Sequence, residues 1–85
     1  MTKTFAEVLD EVNRIVRTVL DMDSIVLERE TIAHDVEKWD SLSHIEIVVA
    51  IEKHFKIRFN FADLQKFKNV GEMCDNIVVK LAHTG

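Results

Sequence analysis

The sequence predicts an all-α fold: four helices, with a long loop after the first and a short third helix. Three observations carry this. Proline is absent and glycine occurs only at Gly71 and Gly85, too few breakers for a many-turn β fold. Apolar residues recur at helical spacing in separate stretches, and strict alternation is missing. Capping residues stand at the starts of those stretches. With 85 residues the chain has room for one domain, 1–85, whose core only just outweighs chain entropy.

The first helix is expected over residues 5–20. Phe5, Val8, Leu9, Val12, Ile15, Val16, Val19 and Leu20 fall on one face, and Glu7, Asp10, Glu11, Asn13, Arg14 and Arg17 on the other. Thr4 followed by Glu7 fits a capping box, which satisfies orphan backbone donors. From residue 21 to 39 the periodicity fades. Asp21, Asp23 and Ser24 favour local side-chain bonds to the backbone and stop the helix. Ile25, Val26, Leu27, Ile32, Val36 and Trp39 are expected to anchor this loop to the core. A connection this long in a small domain points to function or special packing.

A second helix follows over about 41–55. The stretch Lys56-Ile57-Arg58-Phe59 is too short and mixed to assign. Asn60 fits the cap of a short third helix reaching Phe67, and Asn69 the cap of a last helix with Glu72 at its third position. Val70, Met73, Cys74, Ile77, Val78 and Leu81 make that helix's buried stripe, and His83 falls in a tail expected to fray.

The second helix has two apolar faces. At about 100° per residue, Ile47, Val48, Ile51 and Phe55 gather on one side, with Ala50 and His54 at its margin. Leu42, Ile45 and Val49 gather on the opposite side. Both cannot face one small core. The first face is expected to pack on the first and last helices. The second, flanked by Asp40, Glu46, Glu52 and Lys53, reads as a docking surface. The competing reading folds the loop across it. Both are expected in part, with Leu42 partly covered and Val49 open.

Charge and cysteine content narrow the function. With 11 basic and 15 acidic residues the net charge is −4, so no bulk attraction to nucleic acid or anionic lipid is expected. The one cysteine, Cys74, has no partner for an internal disulfide and reads as a small buried apolar residue. The histidines at 34, 44, 54 and 83 fit no metal spacing. Phe55, Phe59, Phe61 and Phe67 read as core or near-core residues, not a base-stacking platform. No stretch is long enough to insert in a bilayer, and the charged N-terminal stretch does not read as a signal peptide. A cytoplasmic monomer is the expectation.

The triplet Asp40-Ser41-Leu42 opens the second helix and offers the main chemistry. Serine and aspartate before apolar helices are mostly caps. Asp40 is the more natural cap here, which leaves the Ser41 hydroxyl free in the first turn. The partial positive charge of a helix N-terminus favours a phosphate there, although Asp40 opposes it. A nucleophile at Ser41 would need a base and oxyanion donors. His44 lies close in sequence, but the Gly-rich turn of serine hydrolases is missing.

The run Val36-Glu37-Lys38-Trp39-Asp40-Ser41-Leu42-Ser43-His44-Ile45-Glu46, with Phe55-Lys56-Ile57-Arg58-Phe59 and Asn69-Val70-Gly71-Glu72, resembles the acyl carrier proteins. The resemblance extends over essentially the whole chain, in length and in order of elements. It implies a four-helix bundle and a carrier that catalyses nothing. It implies that Ser41 receives 4′-phosphopantetheine from coenzyme A by a phosphopantetheinyl transferase, with Asp40 serving that modification. The arm's thiol would hold acyl groups as thioesters for enzymes of ligase, ketosynthase or acyltransferase type. Leu42, Ile45, Glu46 and Val49 match the partner-facing positions of the second helix, and Ile45 and His44 would lie near the mouth of a cleft sheltering the acyl chain. An aminoacyl or peptidyl carrier shares this scaffold. A helical adaptor that is never modified is the other alternative.

The chain departs from the dense acidity of the second helix in carriers of general fatty-acid synthesis. Ser43 and His44 follow the motif, Lys53, His54 and Lys56 close the helix, and residues 60–66 are less acidic. A specialised carrier, dedicated to one pathway or a few partners, is the expectation, and Trp39 fits that subgroup while also anchoring the loop.

Overall fold

A long loop gives up helical hydrogen bonds, and this chain recovers them from its helices. The computed structural model describes residues 3–83. Its elements are α1 (Phe5–Leu20), a 3-10 turn (Ala33–Asp35), α2 (Ser41–Phe55), α3 (Phe61–Gln65) and α4 (Val70–His83). The helical spacing therefore gives α1 and α2 their observed limits. The third helix ends at Gln65, short of Phe67, and His83 is the last residue of α4 instead of part of a frayed tail.

The caps explain the ends. Thr4 and Glu7 form the reciprocal box at the start of α1, at 3.2 and 2.9 Å. Asn60 and Asp63 do the same for α3, and Asn69 Oδ1 accepts the Glu72 N–H at 2.8 Å to start α4. Asp21 and Lys56 close α1 and α2 in the left-handed conformation, at φ 55° and 58°. Neither is glycine, so each turn bears a steric cost. Met22 N–H to Arg17 and Ile57 N–H to Glu52 return hydrogen bonds to the helix carbonyls.

The core joins Val8, Val12, Val16 and Leu20 of α1 to Ile47, Ile51 and Phe55 of α2 and to Met73, Cys74, Ile77 and Leu81 of α4. The closest helix packing is of α1 against α2 and against α4. Leu27, Val36 and Trp39 of the loop enter this core. Val26 and Ile32 do not; both are exposed. Ile57, in the unassigned stretch, is buried. Phe61 is 75% exposed, against the expectation of a core or near-core position, because it opens α3 on the solvent side. Phe59 and Phe67 meet edge to face at 5.0 Å.

Asn13 departs most from its expected place. It is buried, not on the solvent face. Its Oδ1 accepts the Leu27 N–H at 2.6 Å, and its Nδ2 donates to the Leu27 carbonyl at 3.2 Å. One amide thus replaces a neighbouring strand for the residue that plugs the core. Arg17 Nε donates to the Ile25 carbonyl at 2.7 Å. From the other side, α4 uses its orphan N-terminal donors: Val70 N–H bonds the Thr31 carbonyl and Gly71 N–H the Arg29 carbonyl, at 2.8 and 2.9 Å. Gly71 is needed for this approach, since a Cβ there would meet the Arg29 Cγ and lie 2.9 Å from its carbonyl oxygen. Arg29 then pairs with Asp75 and lies 4.2 Å over the Phe5 ring.

Helix α3 is too short to hold itself and is tied to α4. Asp63 Oδ2 pairs with Lys80 Nζ at 2.8 Å and its Oδ1 accepts from Asn76 at 3.2 Å. The Lys80 ammonium first, and then the Asn60 N–H, hold the Asp63 carboxyl down to about 2.

Replacing Asn13 by alanine leaves both Leu27 backbone groups unpaired in the core. We expect a loss of about 2–3 kcal/mol, read from the denaturant midpoint, with the helical circular dichroism of the folded protein retained.

Candidate functional site

Helix α2 begins where the loop's last core anchor ends. Trp39 is buried, and its N–H bonds the Val36 carbonyl at 3.1 Å. This fixes Asp40 as the cap: its Oδ1 accepts the Ser43 N–H and its carbonyl the His44 N–H, both at 2.8 Å. The Ser43 N–H is the main reason the Asp40 carboxyl lies below its usual range. Asp40 is therefore an anion committed to the helix end. Ser41, the first helical residue, is exposed, and its hydroxyl makes no hydrogen bond among the described residues.

Beside that hydroxyl lies an open pocket of about 440 Å³ lined by Ala33, His34, Trp39, Asp40, Ser41 and His44. Two of its lining residues form a pair that the sequence does not join. Trp39 Nε1–H donates to His44 Nδ1 at 3.1 Å, with the rings 6.2 Å apart. Burial pushes the His44 imidazole below its usual pKa. Residues five apart across a helix start belong to no periodic pattern, so only an indole without another acceptor offered a hint.

The strip on α2 is open. Leu42 is 69%, Ile45 60% and Val49 42% exposed. Val49 is open as expected, but Leu42, expected to be partly covered, is the most exposed of the three. The loop turns toward His44 instead of across the strip, so nothing shields Leu42. Glu46 is exposed on the same helix, with no ion pair among the described residues. Ile45 faces outward and does not line the small cavity behind the Trp39–His44 pair. That cavity is lined by Ala33, Trp39, His44, Phe67, Lys68, Asn69, Val70 and Met73 and measures only about 30 Å³. It has no room for a chain in this conformation.

Residues 10–77 match the family described as phosphopantetheine attachment site. The chain is 30% identical over 66 residues to the acyl carrier protein of Onion yellows phytoplasma (strain OY-M), covering 78% of this chain and 87% of that one. It belongs to the acyl carrier protein family. The solution NMR structure of holo acyl carrier protein from Geobacter metallireducens superposes with a TM-score of 0.86 at 51% identity, covering 91% of this chain and 88% of the other. As a member of this family the chain is a carrier and not a catalyst, and its prosthetic group is phosphopantetheine. The structure fits that group: a free, solvent-facing hydroxyl stands in the first turn of a helix beside an open pocket. No helix among the described residues is long and apolar enough to cross a membrane.

A carrier that works through a thiol needs its own cysteine silent. Cys74 is fully buried, and burial pushes its thiol up to about 12. We expect the unmodified protein to show no reaction with dithiobis(nitrobenzoate) at pH 8 while folded, and one reactive thiol once unfolded in guanidinium.

Proposed function

We propose that Ser41 is the residue that bears 4′-phosphopantetheine, and that residues 1–85 act as one specialised acyl carrier domain. The carrying observation is the division of labour at the helix start. Asp40 takes the cap, so the Ser41 hydroxyl is released for a transferase. The partial positive charge of the α2 N-terminus offsets a phosphodiester at this place. When bound, the group supplies a thiol on a flexible arm, on which acyl chains ride as thioesters. Asp40, whose carboxyl stays ionised, serves the modification by holding the helix end fixed beside an exposed hydroxyl.

Leu42, Ile45, Glu46 and Val49 form the face on which a phosphopantetheinyl transferase and the acyl-loading and acyl-transferring enzymes dock. The support is an exposed apolar strip with an unpaired carboxylate among its residues. A strip this narrow gives weak, quickly reversed binding, which suits a carrier that visits several enzymes. Tethering the cargo makes up for the weakness by raising its effective concentration at each active site. Ligase, ketosynthase and acyltransferase types all fit this scheme.

Incubating the unmodified protein with coenzyme A and a phosphopantetheinyl transferase tests the assignment. A mass gain of one phosphopantetheine, lost in Ser41→Ala, is expected, together with a new thiol that reacts in the folded state. No gain with several transferases would overturn it. Glu46→Lys is expected to slow loading by about fivefold, as about 1 kcal/mol of rim electrostatics predicts, with an unchanged melting temperature. Equal loading rates would remove Glu46 from the docking face.

A further inference from the structure

The imidazole of His44 has one nitrogen engaged and one unused. Indole Nε1 is a donor only, so Nδ1 of His44, 3.1 Å away, must be the acceptor and carries no proton. In the neutral ring the proton then sits on Nε2. That Nε2–H makes no hydrogen bond among the described residues. His44 also lines the pocket beside Ser41. The two residues stand three apart on α2, which sets their Cβ atoms about 5–6 Å from each other. Helical side chains lean toward the N-terminus, so the imidazole lies over the turn that holds Ser41.

This donor, unpaired within the protein, shares a pocket with the attachment hydroxyl. We propose that His44 binds the phosphate of the prosthetic group, donating Nε2–H to a phosphodiester oxygen, and that Trp39 is the positioning residue that fixes the required tautomer. The inference rests on attachment at Ser41 and adds a residue that holds the base of the arm. It also gives Trp39 a second duty besides anchoring the loop: its indole fixes which ring nitrogen carries the proton.

The arrangement has a pH consequence. The anion favours the imidazolium, against the burial that disfavours it in the unmodified protein. Other groups face the ring as well. Asp40 at the cap and Lys68, from the link before α4, are the charged groups that line its two pockets. His34, on the 3-10 turn, is a second imidazole on the same pocket. Protonation puts a hydrogen on Nδ1, so the Trp39 indole then loses its acceptor. In the modified protein the phosphate contact should strengthen on acidification, while the Trp39–His44 bond opens.

Nitrogen-15 and phosphorus-31 NMR of the unmodified and modified protein across pH 5–8 tests this. The His44 titration midpoint is expected to rise by about one unit on modification, and the phosphorus resonance to titrate with the same midpoint. The phosphorus titration should vanish in His44→Gln and persist in His34→Gln. In Trp39→Phe the imidazole nitrogen shifts of the unmodified protein should show a mixture of the two tautomers in place of the single Nε2–H form. A complete mass gain at Ser41 with an unmoved His44 midpoint overturns this inference alone, and that comparison needs no variant. A phosphorus titration abolished by His34→Gln instead assigns the contact to His34 and also overturns it. No mass gain at all overturns the attachment at Ser41 and this contact together.

Discussion

One buried amide fixes the path of the whole connection between α1 and α2. Asn13 holds both backbone groups of Leu27, and so lets an irregular segment place an apolar plug in a helical core. Without such a partner those groups would be stranded among aliphatics at a cost comparable to the plug's own contribution. Once Leu27 is set, the following residues come within reach of α4, whose first N–H groups bond the Arg29 and Thr31 carbonyls. Loop and helix end thereby satisfy each other's unpaired groups. The chain then arrives at Trp39 with little freedom, and the start of α2 is where Trp39 and Asp40 put it. The position of Ser41 is thus set by polar bonds to loop backbone as much as by apolar packing.

Helix α2 has to serve two masters on opposite sides. Its inner face supplies Ile47, Ile51 and Phe55 to the core, while Leu42, Ile45 and Val49 stay in water. An exposed apolar strip costs solubility, and charged neighbours limit that cost. The charges are unevenly placed. Asp40 and Glu46 lie toward the Ser41 end, while Lys53, His54 and Lys56 lie with Glu52 toward the other. His54 is drawn back to Glu11 of α1 at 2.8 Å, whereas Lys53 and Lys56 have no ion pair among the described residues. A partner docking on this helix as proposed would meet a surface whose acidic and basic ends differ. Such a difference orients an approach within about a Debye length, roughly 8 Å at physiological salt, and adds little to affinity once docked.

Most of the architecture can be read in the residues because it rests on repeated signals. The α1 stripe recurs along sixteen residues, and each cap pairs a polar residue with another three positions on. The unread features each depend on one contact or turn outside any repeat. Asn13 looks like any polar residue on the outer face of an amphipathic helix; besides the Leu9 carbonyl, its partners are the Leu27 backbone atoms fourteen positions away, which have no side-chain signature. Ile57 is one apolar residue between cations, and only the left-handed turn at Lys56 aims it inward. Leu42 and Val49 share a face by helical angle, but whether the loop covers either depends on the loop's path. At the candidate site, the triplet and the strip are local and legible. The Trp39–His44 bond is not, since it joins two elements at a spacing that neither helix nor strand repeats.

The two thiols of a modified carrier must behave differently, and the fold arranges this through burial. Thioester exchange proceeds through a thiolate, so a cysteine near its ordinary pKa would compete with the arm for acyl groups and for oxidants. Cys74 is sealed in the α4 stripe between Met73 and Ile77 positions that also face the core, and its thiol is pushed up to about 12. At neutral pH its thiolate is then rarer than that of an ordinary cysteine by orders of magnitude. Packing adds a second barrier, because no acyl chain reaches the sulfur without opening the bundle. The same residue fills core volume as a small apolar group. Reactivity is in this way confined to the tether, while the body of the protein contributes shape, charge and a fixed point of attachment.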